Sequence, residues 1–305
     1  MNDNRYSKLK VINNQGGFSE SIGCDNESSE RVLIKELYFS QIDDGIGTSV
    51  IREVTQFKSL VHPNIVRLLD VSRHDDYMRI VYEFMDLSLG RYIKPKIRNQ
   101  MSENEANLIR SYSYQILCGL AFMHSQRVIH RNINPNTLLV NRTGYIKISD
   151  FAYSRVFPVP IPKLTPIVHD IWYISPECLF GGEDYDLSAD IWSAGCVIAE
   201  MSTGSPIFRG DCILDQAIKI FKVFPDNNYL LSNIGYDNAE SVLNGDQQKL
   251  GDLINSNDPL FLDLLTKLLN PNPDERISAI EALRHPYFDT IPQVLVDTCL
   301  PILKS

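Results

Sequence analysis

The sequence is poor in paired cysteines, in positive charge and in long apolar runs, and each shortage removes a class of protein. Its six cysteines (Cys24, Cys118, Cys178, Cys196, Cys212 and Cys299) lie far apart with no CxxC spacing, so neither a zinc ribbon nor a disulfide framework is indicated. The net charge of −9 provides no broad basic face for a nucleic acid. No apolar run approaches the roughly 18 residues of a membrane span, and the opening MNDNRYSKLK is polar, unlike a secretory leader. The expectation is a soluble protein of the cytoplasm or nucleus that binds neither nucleic acid nor membrane. In that setting the sequons Asn26-Glu27-Ser28 and Asn141-Arg142-Thr143 read as chance. What is present is apolar content: 44% of 305 residues are hydrophobic, ample for a core.

Periodicity divides the chain in two. Arg31 to Leu37, RVLIKEL, reads as a buried strand with one lysine inside it. A helix is expected over Thr48 to Leu60, where Val50, Val54, Phe57 and Leu60 recur at helical spacing. HPNIVRLLDV and MRIVYEFM read as two further strands. Beyond Asp86 the long apolar segments SYSYQILCGLAFMHS, SADIWSAGCVIAEMSTG, NDPLFLDLLTKLL and ISAIEALRHPYF predict helices. A strand-rich first part and a helical remainder imply an α+β molecule of two lobes. Their crossover falls near Glu83 to Ser88, and Asp226 to Gln248 reads as a surface excursion.

Ile129 to Leu139, IHRNINPNTLL, resembles a protein-kinase catalytic loop. The other motifs of that family stand in order: Lys35 after a strand, HPNIVRLLDV, Asp150-Phe151, Trp172 to Glu177 (WYxxPE), Asp190 to Cys196 (DIWSAGC), Gly210 to Gln216 (GDxxxDQ) and Arg276. Gly47 to Glu53, GTSVIRE, is similar to the cyclin-binding helix of the cyclin-dependent kinases. The resemblance implies a two-lobe kinase fold over 1–290. A small β-rich lobe with one regulatory helix would run to about 84, a hinge over 83–88, a larger helical lobe over 89–290, and a tail over 291–305.

ATP and magnesium are the cofactors the resemblance implies. The family loop reads H-R-D-x-K-P-x-N, with Asp as base, Lys on the γ-phosphate and Asn on a metal. Those positions hold Asn132, Asn134 and Thr137. An amide is not basic near neutral pH, and a hydroxyl is a poorer magnesium ligand than an amide carbonyl. Lys35 matches the phosphate lysine and Glu53 its helical partner, and Asp150 matches the metal carboxylate, followed by Ala152 in place of glycine. The glycine-rich loop aligns with Asn14-Gln15-Gly16-Gly17-Phe18-Ser19, followed by Glu20 and Ser21, so only Gly16 of three glycines is kept and Glu20 brings a carboxylate toward the phosphates. Leu33 stands where the family has alanine; it either packs over Leu139 and fills part of the adenine slot, or turns away and leaves it narrower. Tyr82, Glu83, Met85 and Ser88 complete the implied nucleotide pocket.

Asp170 replaces a threonine beside the catalytic position, either as a displaced base or as a polar neighbour for Asn132. Phe57, Leu68, His130 and Phe151 match the hydrophobic stack that aligns the lobes. Glu177 and Arg276 match the ion pair under the activation segment. Thr165 matches the activation-loop phosphosite, and Arg52, Arg131 and Arg155 the three arginines that would clamp its phosphate. The resemblance thus implies a cyclin-like partner on the Thr48 to Leu60 helix, an upstream kinase acting on Thr165, and a regulatory binding module without catalysis. The alternative is a weak serine/threonine kinase using Lys35, Asp150 and one magnesium.

Overall fold

The computed structural model describes residues 5–15, 17–39, 54, 58, 60–93, 101–156, 170–180, 186–225, 230, 247–254 and 256–299. Gly16, Arg52, Glu53, Phe57 and Thr165 lie outside these residues, as do most of the expected helix over 48–60 and most of 226–248. Gln15, Ala152 and Arg155 are described through their backbone alone.

The first lobe is an antiparallel sheet of β1 (Tyr6–Gln15), β2 (Phe18–Asp25), β3 (Arg31–Tyr38), β4 (Leu68–Arg73) and β5 (Tyr77–Glu83), in the order β1-β2-β3-β5-β4. Period-two alternation sorts β3 into two faces. Val32 and Ile34 join Tyr6 and Val81 in a small cluster, and Glu36 on the same face is buried against Lys8 and Arg79. Leu33 and Lys35 are left on the opposite face, toward the second lobe. HPNIVRLLDV is strand only from Leu68 onward. Pro63 has no N–H to give a ladder, and Asn64 turns inward, donating its amide to Gln115 Oε1 at 3.1 Å and the Ile146 carbonyl at 3.0 Å.

The second lobe is built around α1 (Glu103–Ser125) and α2 (Ser188–Thr203), both with long buried faces. A capping box between Ser102 and Glu105 starts α1, eight residues before the apolar run suggested. Gly119 lets α1 approach the first lobe's edge: a Cβ there would lie 2.8 Å from Ile148 Cδ1 and 3.0 Å from the Asn64 carbonyl. Gly204, at φ 78, closes α2 in the left-handed conformation that glycine adopts freely. Outside them pack α3 (Ile213–Val223) and α4 (Pro259–Leu268). The expected helix over ISAIEALRHPYF is instead a four-residue helix, Ala279–Ala282, and a 3-10 turn, Pro286–Phe288, because Pro286 cannot continue a helical ladder. Within the expected tail, α5 (Gln293–Cys299) packs back on α1, and His62 Nε2 meets the Cys299 carbonyl at 3.0 Å.

Between the lobes lie three short ladders. Strand β6 (Leu87–Ser88) pairs with β8 (Leu138–Val140), which pairs with β9 (Ile146–Ile148), while β7 (Val128–Ile129) pairs with β10 (Arg155–Val156). The catalytic loop runs from β7 to β8, directly under the cleft.

Candidate functional site

The loop's backbone is held from below by one carboxylate. Asp190, fully buried in the first turn of α2, accepts the main-chain N–H groups of His130 and Arg131, each at 2.8 Å, and faces His124 Nε2 at 3.1 Å. Burial alone pushes its pKa up, but the His124 hydrogen bond and the nearby imidazoles outweigh that and hold it below the ordinary range. This grip fixes Arg131 at φ 70, a left-handed conformation costly for a residue with a Cβ. His130 bridges the next layer. Its Nε2 donates to the Ser149 carbonyl at 2.9 Å, its Nδ1 accepts from Asn132 N–H at 3.2 Å, and its ring meets Phe151 edge-on at 4.9 Å. Burial lowers its pKa, which agrees with a neutral ring that can accept at Nδ1. Leu68 packs against the same core.

The side chains on this frame satisfy one another. Asn132 donates its amide to Asp150 Oδ2 at 3.1 Å, and its Oδ1 accepts from the Asn134 amide at 2.9 Å. Asn134 Oδ1 in turn accepts from Asn136 N–H at 2.8 Å. The Thr137 hydroxyl lies 2.8 Å from the Asn132 carbonyl and accepts from Asn134 N–H at 3.1 Å. Asn134 and Thr137 are buried and turned into the loop, so neither lines the cleft above it. Asn132 and Asn134 line a small recess on the other side, together with Asp170, whose carboxyl partial burial raises above its ordinary pKa. Among the described residues no hydrogen bond joins Asp170 to Asn132.

Above the loop, a cleft of about 640 Å³ opens between the lobes, a size suited to a small molecule. Lys35, Leu33, Tyr82, Glu83, Met85, Leu139 and Asp150 all line it. Leu33 and Leu139 form parts of its walls without closing it. Ser88 does not line it, because its backbone pairs with Leu139 in the β6–β8 ladder; Asp86 and Arg91 lie there instead. The Glu83 carboxylate is held by Lys147 Nζ at 2.6 and 2.8 Å and by Arg67 N–H at 2.7 Å.

The glycine-loop alignment is corrected by the strand register. Pairing continues to Gln15 opposite Phe18, so only two residues separate β1 from β2, and the second, Gly17, takes φ 87. Ser19 and Ser21, placed by the alignment at the last glycine and the apolar cap, are buried away from the cleft. Glu20 and Ile22 line it, opposite Lys35 and Leu33 respectively. The Lys35 ammonium lies 5.6 Å from the centre of the Phe18 ring.

Beneath the activation segment, Arg276 makes a bidentate pair with Glu177 at 2.8 and 2.9 Å. It also donates to the carbonyls of Ser188, Asn270 and Pro271 and packs 5.3 Å from the Trp192 ring. The Thr165 clamp falls mostly outside the described residues; Arg131 is buried with Nη1 3.5 Å from the Tyr153 carbonyl.

Two unequal lobes, an open cleft between them, a loop gripped by Asp190 and the Glu177–Arg276 pair are the parts of one architecture. The family model for the protein kinase domain matches residues 6–288. The chain belongs to the protein kinase family. Kinases of this family generally use ATP and magnesium, and the fit of this cleft to each differs. Its apolar walls and volume suit a planar ring. Its metal position departs from the family's: Asp150 keeps its carboxylate, with Oδ2 accepting from the Asn132 amide, and the second ligand position is a hydroxyl turned into the loop rather than an amide carbonyl. Among the described residues no helix is long and apolar enough to cross a membrane.

Proposed function

We propose that this protein is a cyclin-dependent-kinase-like member of the family that has lost phosphoryl transfer and works as a regulatory binding module. The observation that carries this reading is the closed network of Asn132, Asn134, Thr137 and Asp150. Where an active loop presents a base, a phosphate lysine and a metal ligand, this one presents neutral groups already committed to each other. Loss of a general base alone costs a factor of about 10² to 10⁴, and the remaining changes remove terms that act on the same transition state.

The test is transfer of labelled γ-phosphate from ATP to histone-type and Ser-Pro substrates. The purified protein is expected to give background, and Asn132→Asp with Asn134→Lys and Thr137→Asn to recover little, because the short β1–β2 connection and Leu33 remain. Robust transfer by the parent that disappears in Lys35→Ala overturns the reading. A second reading, a slow kinase using Lys35 and Asp150, is favoured by one observation: both side chains line an open cleft.

The binding function we assign to the Thr48 to Leu60 helix and the activation segment. A phosphate on Thr165, added by another kinase, would join Arg52, Arg131 and Arg155 through charge-assisted hydrogen bonds. Capture of a cyclin should therefore strengthen on Thr165 phosphorylation and be lost in Ile51→Glu or Arg52→Glu. Equal capture in both phosphorylation states removes the switch, and no capture in either removes the cyclin.

A further inference from the structure

Two features at the phosphate end of the cleft oppose an anion. Glu20 on β2 and Lys35 on β3 are direct cross-strand partners, and both line the cleft. Opposite charges at such positions attract, so a phosphate approaching Lys35 also approaches the Glu20 carboxylate. On the facing wall Asp150 adds a second negative charge. Among the described residues the cleft as a whole is lined by the carboxylates of Glu20, Glu83, Asp86 and Asp150 and by the cations Lys10, Lys35 and Arg91, a net charge of −1. A divalent cation would reverse this balance, but Asp150 Oδ2 already accepts from Asn132 and the second ligand position, Thr137, is a hydroxyl turned into the loop.

The inner end of the same cleft has a different character. Ile12, Ile22, Leu33, Val66 and Leu139 give it apolar walls. Met85 lines it too, and its main-chain N–H and C=O have no intramolecular hydrogen bond among the described residues. One donor and one acceptor beside apolar walls suit the edge of a heteroaromatic ring.

We infer that the cleft takes an uncharged heteroaromatic ligand of nucleoside type and discriminates against its phosphorylated forms, with Glu20 as the discriminating residue. The inference rests on the non-catalytic reading above and names the ligand class of that site. Discrimination arises from an introduced repulsion rather than from an added contact.

Isothermal titration of the full chain with adenosine, and with ATP in the presence and absence of magnesium, tests it. Adenosine should bind at least about tenfold more tightly than ATP, and magnesium should not reverse the order. Glu20→Gln, a near-isosteric change at a half-buried position, should tighten ATP more than adenosine and so narrow the preference. ATP binding as tightly as adenosine, without phosphate transfer, overturns this inference and leaves the non-catalytic reading standing. Transfer of phosphate overturns both. Binding of neither ligand, or a Glu20→Gln protein with the same preference as the parent, overturns the inference alone.

Discussion

Within the catalytic loop, Asn132, Asn134 and Thr137 exchange hydrogen bonds among neutral groups, and Asp150, one of the carboxylates that line the cleft, receives an amide. Below the loop, Asp190 holds two main-chain N–H groups, and Glu177 and Arg276 form a buried ion pair. The two layers are only a few residues apart in sequence or space, yet they differ in what a substitution would disturb. The lower layer fixes the backbone, so its loss would change the shape of the loop. The upper layer decides what the loop can do to a substrate, and it can be rewritten while the backbone stays in place. A kinase fold with altered chemistry is therefore physically self-consistent.

The difference between the layers is open to measurement. The largest effect is expected from Glu177→Ala, which leaves a fully buried guanidinium without its carboxylate; urea denaturation should show a loss of about 3–5 kcal/mol. A loss below about 1 kcal/mol would mean that the lower layer is not the support proposed for it.

Acid should act next, in two stages. Burial holds the pKa values of His62 and His130 below 6.5, and each ring accepts a main-chain N–H at Nδ1. The unfolded chain therefore takes up protons below about pH 6.5 that the fold refuses, and stability falls as pH drops from there. Asp190, whose folded pKa is depressed, contributes stability above its ordinary value of 3.8 and loses it as pH falls through the folded pKa. Urea midpoints should thus be level above pH 7 and decline toward pH 5, with a shallower decline in His62→Gln; a flat profile to pH 5 contradicts the assignment.

The smallest effect is expected from Asn132→Ala. It removes one hydrogen bond to the Asp150 carboxylate and one from the Asn134 amide, together worth about 1–3 kcal/mol. A cost in denaturation equal to that of Glu177→Ala would erase the distinction between the layers.

The sequence made some of this legible for clear reasons. A lone lysine inside an apolar strand pointed to Lys35, and fixed spacings pointed to Asn132, Asp150 and Arg276. Long apolar runs pointed to α1 and α2, because burial on most sides leaves a strong signal. Strand β1 left almost none: Leu9, Val11 and Ile12 are exposed and only Tyr6 is buried in the core, with Ser, Lys, Asn and Gln filling the remainder. The sequence put Glu20 near the phosphates, but on an alignment that gave the cleft-facing positions of β2 to Ser19 and Ser21, which are buried away from it. A strand's side chains alternate, so a one-residue error in alignment exchanges the faces, and only the pairing of Ile22 with Leu33 fixes the parity. The role of Asp190 was hidden for another reason: its partners are backbone amides 59 and 60 residues away, and backbone groups carry no sequence signature. The break at Pro286 and the bend at Pro63 were both visible as prolines, but apolar periodicity on either side masked them.

The contact between His62 and the Cys299 carbonyl joins positions 237 residues apart. No partial product of chain ordering can contain it unless both lobes are nearly assembled, and contacts of such separation are slow to form. The last helix is therefore expected to dock late in folding, as a latch on His62. Because His62 Nδ1 also accepts the Asn64 amide hydrogen, exchange of that single proton with solvent would time the latch.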